Sequence, residues 1–242
     1  MCGRFTLTVD QEALTAALAV EGLVHPHPRW NIAPSQETPA LVHTEEGIRG
    51  ARLRWGLVPF WAGDPAIGNR LINARSETAH QKPSFRNAFR RGRCLIPADG
   101  FYEWQKQNGA KVPWWIHPEV PEGEADPSSR ILTFAGLSER WEGEEGEVLR
   151  TFTILTADAS ESIRALHHRM PVVIPRALRA RWLEPGAEVD ELRELLAAGP
   201  DRPWAAREVS TRVNSPANDD SSLLEPPGAP GSDLPLFERT TK

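Results

Sequence analysis

The dipeptide Asn108-Gly109 constrains this chain more than any other short stretch, because it sits between two β-like runs, Gly100 to Trp104 and Val112 to Ile116. Asn-Gly favours the left-handed backbone of a tight hairpin turn, so the two runs are expected to pair antiparallel. Upstream, Cys94 to Ala98 reads as a further strand, giving strand, turn and strand over 94–104. Period-2 alternation puts Phe101 and Glu103 on one face and Tyr102 and Trp104 on the other. A carboxylate among Phe, Tyr and Trp is either exposed at an edge or half-buried with a raised pKa. Only the second state makes Glu103 a proton shuttle near neutral pH.

Other strands are expected from Gly3, where Phe5 and Leu7 alternate with Arg4, Thr6 and Thr8, and over 40–43, 48–55, 131–137, 149–156, 172–174 and 209–213. Helices are expected over 11–20 behind the N-cap Asp10, after Pro83, and over 160–166, 175–183 and 190–198. The proline-rich stretch 26–39 reads as an ordered loop, and 119–129 and 142–147 as acidic surface connections. Residues 226–242 are rich in Pro and Gly and are expected to form a disordered tail behind one domain over 1–225.

With 242 residues, 40% apolar content and nine Trp, the chain suffices for one substantial core. A net charge of -5 means that a nucleic-acid site must be a local basic patch. Two cysteines, Cys2 and Cys94, make neither a disulfide framework nor a zinc spacing. No apolar run reaches the roughly 20 residues of a membrane span, and no signal peptide is evident, so the expected location is cytoplasmic.

The chemistry concentrates at Met1-Cys2-Gly3-Arg4-Phe5. Met1 precedes a small residue and is expected to be trimmed, leaving Cys2 as a terminal 1,2-aminothiol. Its thiol and amine, with ordinary pKa values of about 8.5 and about 8, are both nucleophiles near neutral pH. Such a pair suits an aldehyde: the amine gives an imine and the thiol closes it to a thiazolidine. Alone, the signal is weak, and Cys2 reads as a small residue at a chain end.

Three further groups carry alternatives. Arg29 and Trp30 belong either to a lid on the core or to a base-stacking surface, and Trp55-Gly56-Leu57-Val58-Pro59-Phe60-Trp61 has too many aromatics for one strand face, so some are expected to be exposed. Between 70 and 93 the chain holds Arg70, Arg75, Lys82, Arg86, Arg90, Arg91 and Arg93 against the single acid Glu77, which is either a solvated face or a phosphate-binding patch. His167 and His168, before Arg169-Met170-Pro171, suit either a helix cap or an acid/base.

Taken with Asn31-Ile32-Ala33-Pro34, Trp55 to Pro59, Asn73-Ala74-Arg75-Ser76-Glu77-Thr78, Cys94 to Trp104, His167 to Pro171 and Val209 to Asn214, the N-terminus closely resembles the SRAP family, the SOS response-associated peptidases of the abasic-site processing type. The resemblance runs from residue 2 to about 225. It implies an α+β domain around a curved, barrel-like antiparallel sheet with peripheral helices. It implies covalent capture of abasic sites in single-stranded DNA by Cys2, a secondary AP-lyase activity, Met1 removal by autoproteolysis, and a role in the DNA damage (SOS) response. It further implies a cytoplasmic monomer, nucleoid-associated on DNA, without cofactor or metal. Carried over by position, Cys2, Asn73, Glu103 and His167 are the catalytic residues. Asn73 holds the N-terminal residue and the sugar, Glu103 is the acid, and His167 is the second acid/base. Arg4, Arg75, Arg86 and Arg90 would clamp phosphates while Pro34 and Trp61 unstack bases. The rival readings are a cysteine-nucleophile peptidase (a hydrolase) and a non-catalytic single-stranded DNA-binding module.

Overall fold

The computed structural model describes residues 2–120, 127–197 and 203–228. The sequence-expected tail therefore lies, from residue 229 onward, outside the described residues, as do residues 121–126 of the first acidic connection. In chain order the strands are β1 (Phe5–Leu7), β2 (Arg29–Ile32), β3 (Glu37–Thr44), β4 (Gly47–Trp55), β5 (Asn73–Arg75), β6 (Arg93–Ala98), β7 (Gly100–Gln107), β8 (Ala110–Pro118), β9 (Leu132–Glu142), β10 (Val148–Asp158), β11 (Arg169–Pro171) and β12 (Trp204–Glu208). The helices are α1 (Gln11–Leu18), α2 (Ser76–Ala79), α3 (Arg86–Arg91), α4 (Glu161–Arg164), α5 (Arg179–Leu183) and α6 (Val189–Ala197).

Neighbour pairing closes β4, β3, β6, β9 and β10 into a five-stranded barrel, since β10 pairs with both β9 and β4. Closure removes the exposed edges that an open sheet would carry. The pairing is antiparallel except where β10 runs parallel to β4 and β5. Close packing inside the barrel needs Gly136, where a Cβ would come within 2.7 Å of Cys94 Sγ. A second sheet, ordered β12-β8-β7-β1-β2, lies over the barrel.

The expected hairpin forms: β7 and β8 pair from Phe101–Ile116 to Gln107–Ala110, with Asn108 and Gly109 at φ 49° and 83°. Positive φ at both central residues is the type I′ geometry that Asn-Gly accommodates. The predicted faces also hold. Phe101 packs edge-on to Phe134, whereas Tyr102 and Trp104 lie together over Val209 and Val213.

β1 fastens the N-terminus to the barrel. Its Phe5 is fully buried and meets Trp55 at 5.2 Å and Phe134 at 5.9 Å between ring centroids. Buried Asp99, at the β6–β7 corner, accepts from Thr6 Oγ1 (2.5 Å), Thr8 N (2.5 Å) and Thr8 Oγ1 (2.6 Å). Removing that acceptor strands three donors. We expect Asp99→Ala to cost about 3 kcal/mol in a denaturant titration, and a loss within error of zero would discount the staple.

Several expectations shift. The helix expected over 11–20 ends at Leu18, because Ala19 turns left-handed (φ 52°). The 26–39 stretch contains β2, which pairs with β1, and the start of β3. The strand expected over 172–174 lies earlier, over 169–171, with a single bridge from Val173 to Phe134. Likewise the last strand is Trp204–Glu208, and Thr211–Asn214 is a 3-10 turn capped by Ser210. Residues 172–174 still bond β9 and β10 through Val172 O, Ile174 N and Val172 N, whereas Val209 and Val213 are buried against Tyr102 and Trp115.

Candidate active site

Cys2 is wholly buried, and its thiol approaches Arg4 O at 3.5 Å. Burial, with Glu103 adding to it, pushes the thiol well above its ordinary value. Asn73 enters from β5, which lies beside β10 with Asn73 opposite Ile154. Its Nδ2 donates to Cys2 O at 2.7 Å. The other side of the amide, Oδ1, is buried without a partner among the described residues. An orphan acceptor at that depth is costly unless a ligand group supplies its donor.

Glu103 arrives on β7, two residues beyond Phe101, which pairs with Phe5. Its side chain is 4% exposed, so desolvation pushes the carboxyl up to about 7. Of the two states that the sequence allows, the buried one is found. His167 precedes β11 and brings Nδ1 to 3.6 Å from Glu103 Oε1. The same nitrogen lies 2.9 Å from Arg169 O and 3.1 Å from Arg169 N. Burial holds His167 below the ordinary imidazole range. His168 stacks on it at 4.4 Å between ring centroids, as a neighbour. Cys2, Asn73, Glu103 and His167 thus come from four separate segments and form one chain of contacts: Asn73 holds Cys2, Glu103 lies within electrostatic reach of the Cys2 thiol, and His167 faces Glu103.

The expected DNA-contacting residues are distributed unevenly. Arg4 Nη1 donates to Asn31 Oδ1 (3.0 Å) and Val213 O (2.6 Å), and Nη2 to Asn214 O (3.3 Å), so Arg4 pins the 211–214 turn beside the site. Arg75 is exposed and stands two positions from Asn73, on the same strand face. Trp61 and Phe60 are 51% and 56% exposed, whereas Trp55 is buried. Trp61 borders a depression of about 420 Å³ with Asp64, Ile67 and Arg70. Pro34 is half-buried just before Ser35, whose φ is 70°. Arg86 and Arg90 are exposed on α3. Arg90 lines a different depression, with Val42, His43, Leu183 and Pro185, and the structure does not place it with the four clustered residues. Arg93 from the same basic run is buried and donates to Trp182 O, Phe89 O and Arg90 O, which makes it a core strut.

Two features went unseen in the sequence. Asp219 accepts from Trp30 N (2.6 Å) and Asn31 N (2.9 Å), and Asn31 Nδ2 donates to Val213 O, Ser215 O and Asn218 O, closing the C-terminal segment onto β2. Second, the Arg169 guanidinium is ion-paired to Glu77 and Asp158. No local pattern announces either, because Asp219 lies 189 residues from Trp30 and Glu77 lies 92 residues from Arg169.

Comparison with known proteins gives a consistent answer. The abasic site processing protein YoqW of Bacillus subtilis is 38% identical, over 93% of this chain and 99% of its own. The abasic site processing protein HMCES of Gallus gallus is 36% identical, over 82% of this chain and 66% of its own. A crystal structure of a Bacteroides thetaiotaomicron protein shares the fold at a TM-score of 0.80 and 23% identity, covering 93% of this chain and 99% of that one. A Bordetella bronchiseptica structure follows at 0.70 and 27%, covering 86% and 100%. The SOS response associated peptidase (SRAP) family matches residues 1–216, and the chain belongs to that family.

Proposed function

We propose that this protein processes abasic sites by capturing the ring-opened sugar aldehyde in single-stranded DNA through Cys2, once Met1 has been removed. The convergence of Cys2, Asn73, Glu103 and His167 carries this reading. The relatives named abasic site processing proteins support it.

The burial of the thiol, which disfavours its charged form, orders the steps. A preformed thiolate is disfavoured, so the Cys2 amine attacks first. Its nitrogen bonds to C1′ of the aldehyde, giving a carbinolamine. The C1′ hydroxyl then leaves as water with a proton from Glu103, and the imine forms. Next the Cys2 S–H adds across the C=N bond: sulfur bonds to C1′, and the proton passes to nitrogen by way of Glu103 or His167. The net change is loss of one water. Asn73 holds the Cys2 carbonyl throughout, and its vacant Oδ1 offers an acceptor to the freed amine or a sugar hydroxyl. In the open imine, abstraction of a C2′ proton and departure of the 3′ phosphate would cleave the strand. That is the secondary AP-lyase activity. Met1 removal by the protein itself, in which the peptidase name of the family would find its chemistry, is part of the same proposal.

Arg75, on the face of β5 that carries Asn73, is the phosphate contact nearest the chemistry, and Trp61 offers its exposed ring to a base beside the lesion. Truncating a stacking aromatic costs about 1–3 kcal/mol per base, so Trp61→Ala is expected to weaken noncovalent binding roughly ten-fold. Fluorescence anisotropy with a non-reactive abasic analogue reads this, and an unchanged affinity would remove Trp61 from the DNA path. The capture chemistry itself is tested on a denaturing gel. The untagged protein is incubated with single-stranded DNA carrying one abasic site, with an intact strand alongside, and the product mass is measured. A heat-stable band specific to the abasic strand, with Met1 and one water missing, is the expected result. Absence of that band after confirmed loss of Met1 refutes the proposal.

A further inference from the structure

Arg169 is buried, yet it approaches the reacting groups only through its backbone. Its guanidinium bonds Glu77 through Nη1 to Oε1 (2.6 Å) and Nη2 to Oε2 (2.9 Å), and it also bonds Asp158 Oδ1 (2.7 Å) and Thr156 O. This bidentate arrangement fixes both planes, which a lysine could not do. Position in the fold gives the bonds their meaning. The end of β10 is flanked by β5, with Thr156 opposite Arg75, and by β11, with Asp158 opposite Arg169. Glu77 lies on α2, directly after the strand that carries Asn73, and Arg169 lies two residues after His167. One ion pair therefore ties the segment of Asn73 to the segment of His167 across the end of β10.

What the tie holds is the peptide around His167 Nδ1. With a proton on Nδ1, the ring donates to Arg169 O at 2.9 Å; without it, Nδ1 accepts from Arg169 N at 3.1 Å. Both states of that nitrogen find a partner in the same residue, while Glu103 waits at 3.6 Å. A group that loses no hydrogen bond on gaining or losing its proton passes that proton at low cost.

We propose that Arg169, clasped by Glu77 and Asp158, is a positioning residue that holds its own backbone against His167 so that Nδ1 exchanges a proton with Glu103. The inference rests on the capture reading above, in which His167 moves protons. The clasp makes no demand on DNA affinity, and that separates it from a phosphate-binding role for Arg169.

Glu77→Gln is the informative variant, because Glu77 is half exposed and the amide keeps its shape while losing its charge. Single-turnover capture, equilibrium binding to a non-reactive analogue and a melting temperature are measured together, with His167→Ala and Glu77→Asp alongside. Glu77→Gln is expected to stay folded, bind within about two-fold of wild type, and capture about ten-fold more slowly with a displaced pH profile. Glu77→Asp should recover part of that rate. Nitrogen-15 shifts of the His167 ring should show a changed Nδ1–Nε2 proton balance in Glu77→Gln. A wild-type rate and pH profile in Glu77→Gln, with His167→Ala still slow, overturns the clasp alone. Parallel loss of affinity and rate overturns it in favour of a direct phosphate contact. A wild-type rate in His167→Ala overturns the clasp together with the role given to His167.

Discussion

A Cys2→Ala variant is expected to form no heat-stable adduct with an abasic strand, while borohydride still traps it on that strand. The variant is taken forward only after intact mass confirms that Met1 is gone, removed by an added methionine aminopeptidase where the protein no longer removes it itself, so the terminal amine is free and the imine still forms. What disappears is the sulfur that closes the ring. An open imine returns to amine and aldehyde with water, whereas the thiazolidine must first break its C–S bond. Cys2 has no solvent exposure, and its loss removes one sulfur from the core beside Phe5, at about 1 kcal/mol of stability. Absence of the band therefore could not be blamed on unfolding, and a melting curve taken alongside would show it. Intact mass with borohydride should give protein plus strand, less one water, plus two hydrogens. A stable band from Cys2→Ala equal to that of wild type would rule out the ring, and the buried thiol would need another purpose. Wild-type protein retaining Met1 is the partner experiment, since it keeps the sulfur but ties the Cys2 nitrogen up in a peptide bond; it should give no heat-stable band.

The contrast between Asn108-Gly109 and Asn31 illustrates how far local sequence reaches. The hairpin was legible because two adjacent residues determine the turn and the alternation around it determines the faces. Glu103 was legible as a choice between two states, and only the packing of its face of the second sheet toward the barrel decided between them. Asn31 was visible as part of a motif but not as a hub. Its partners at Val213, Ser215 and Asn218 are nearly the whole chain away, and nothing local encodes them. Arg93 and Arg75 make the same point within one basic run. Both read as surface cations, yet Arg93 is buried under backbone carbonyls while Arg75 stays exposed beside Asn73. The strand displaced from 209–213 to 204–208 has a related cause: Val209 and Val213 satisfy the apolar pattern by packing on Tyr102 and Trp115 from a turn. The N-terminal aminothiol needed no structure to be suspected. That its sulfur is buried did need one, and the burial is what raises the thiol above its ordinary range.

Replacing Glu103 with Gln is expected to slow capture about a hundred-fold, the lower end of what a positioned general acid contributes, and to change the form of the pH profile. The proposed mechanism uses a protonated Glu103, whose carboxyl is pushed up to about 7, and a neutral terminal amine, for which the ordinary α-amino value of about 8 is taken. Below the first value the rate rises with the neutral amine. Between the two values the gain in amine and the loss of acid cancel, and above the second the missing acid makes the rate fall. Wild type should therefore show a plateau from about 7 to about 8 with a descent on each side. Glutamine has no proton to lose, so the alkaline descent should vanish and leave a rate that rises and then levels. Stability carries the same signature with a defined sign. The carboxyl is raised from its ordinary 4.5, so the folded protein holds the proton more tightly than the unfolded chain does, and wild type loses stability as pH climbs from 4.5 to about 7. The loss attributable to Glu103 is on the order of 3 kcal/mol and should be missing from Glu103→Gln. Denaturant midpoints across that window and single-turnover rates from pH 5 to about 9 test both consequences on one pair of proteins. If Glu103→Gln retained the alkaline descent, the acid would be another group, with His167 the next to examine. An undiminished loss of stability in the variant would place the titration elsewhere in the fold.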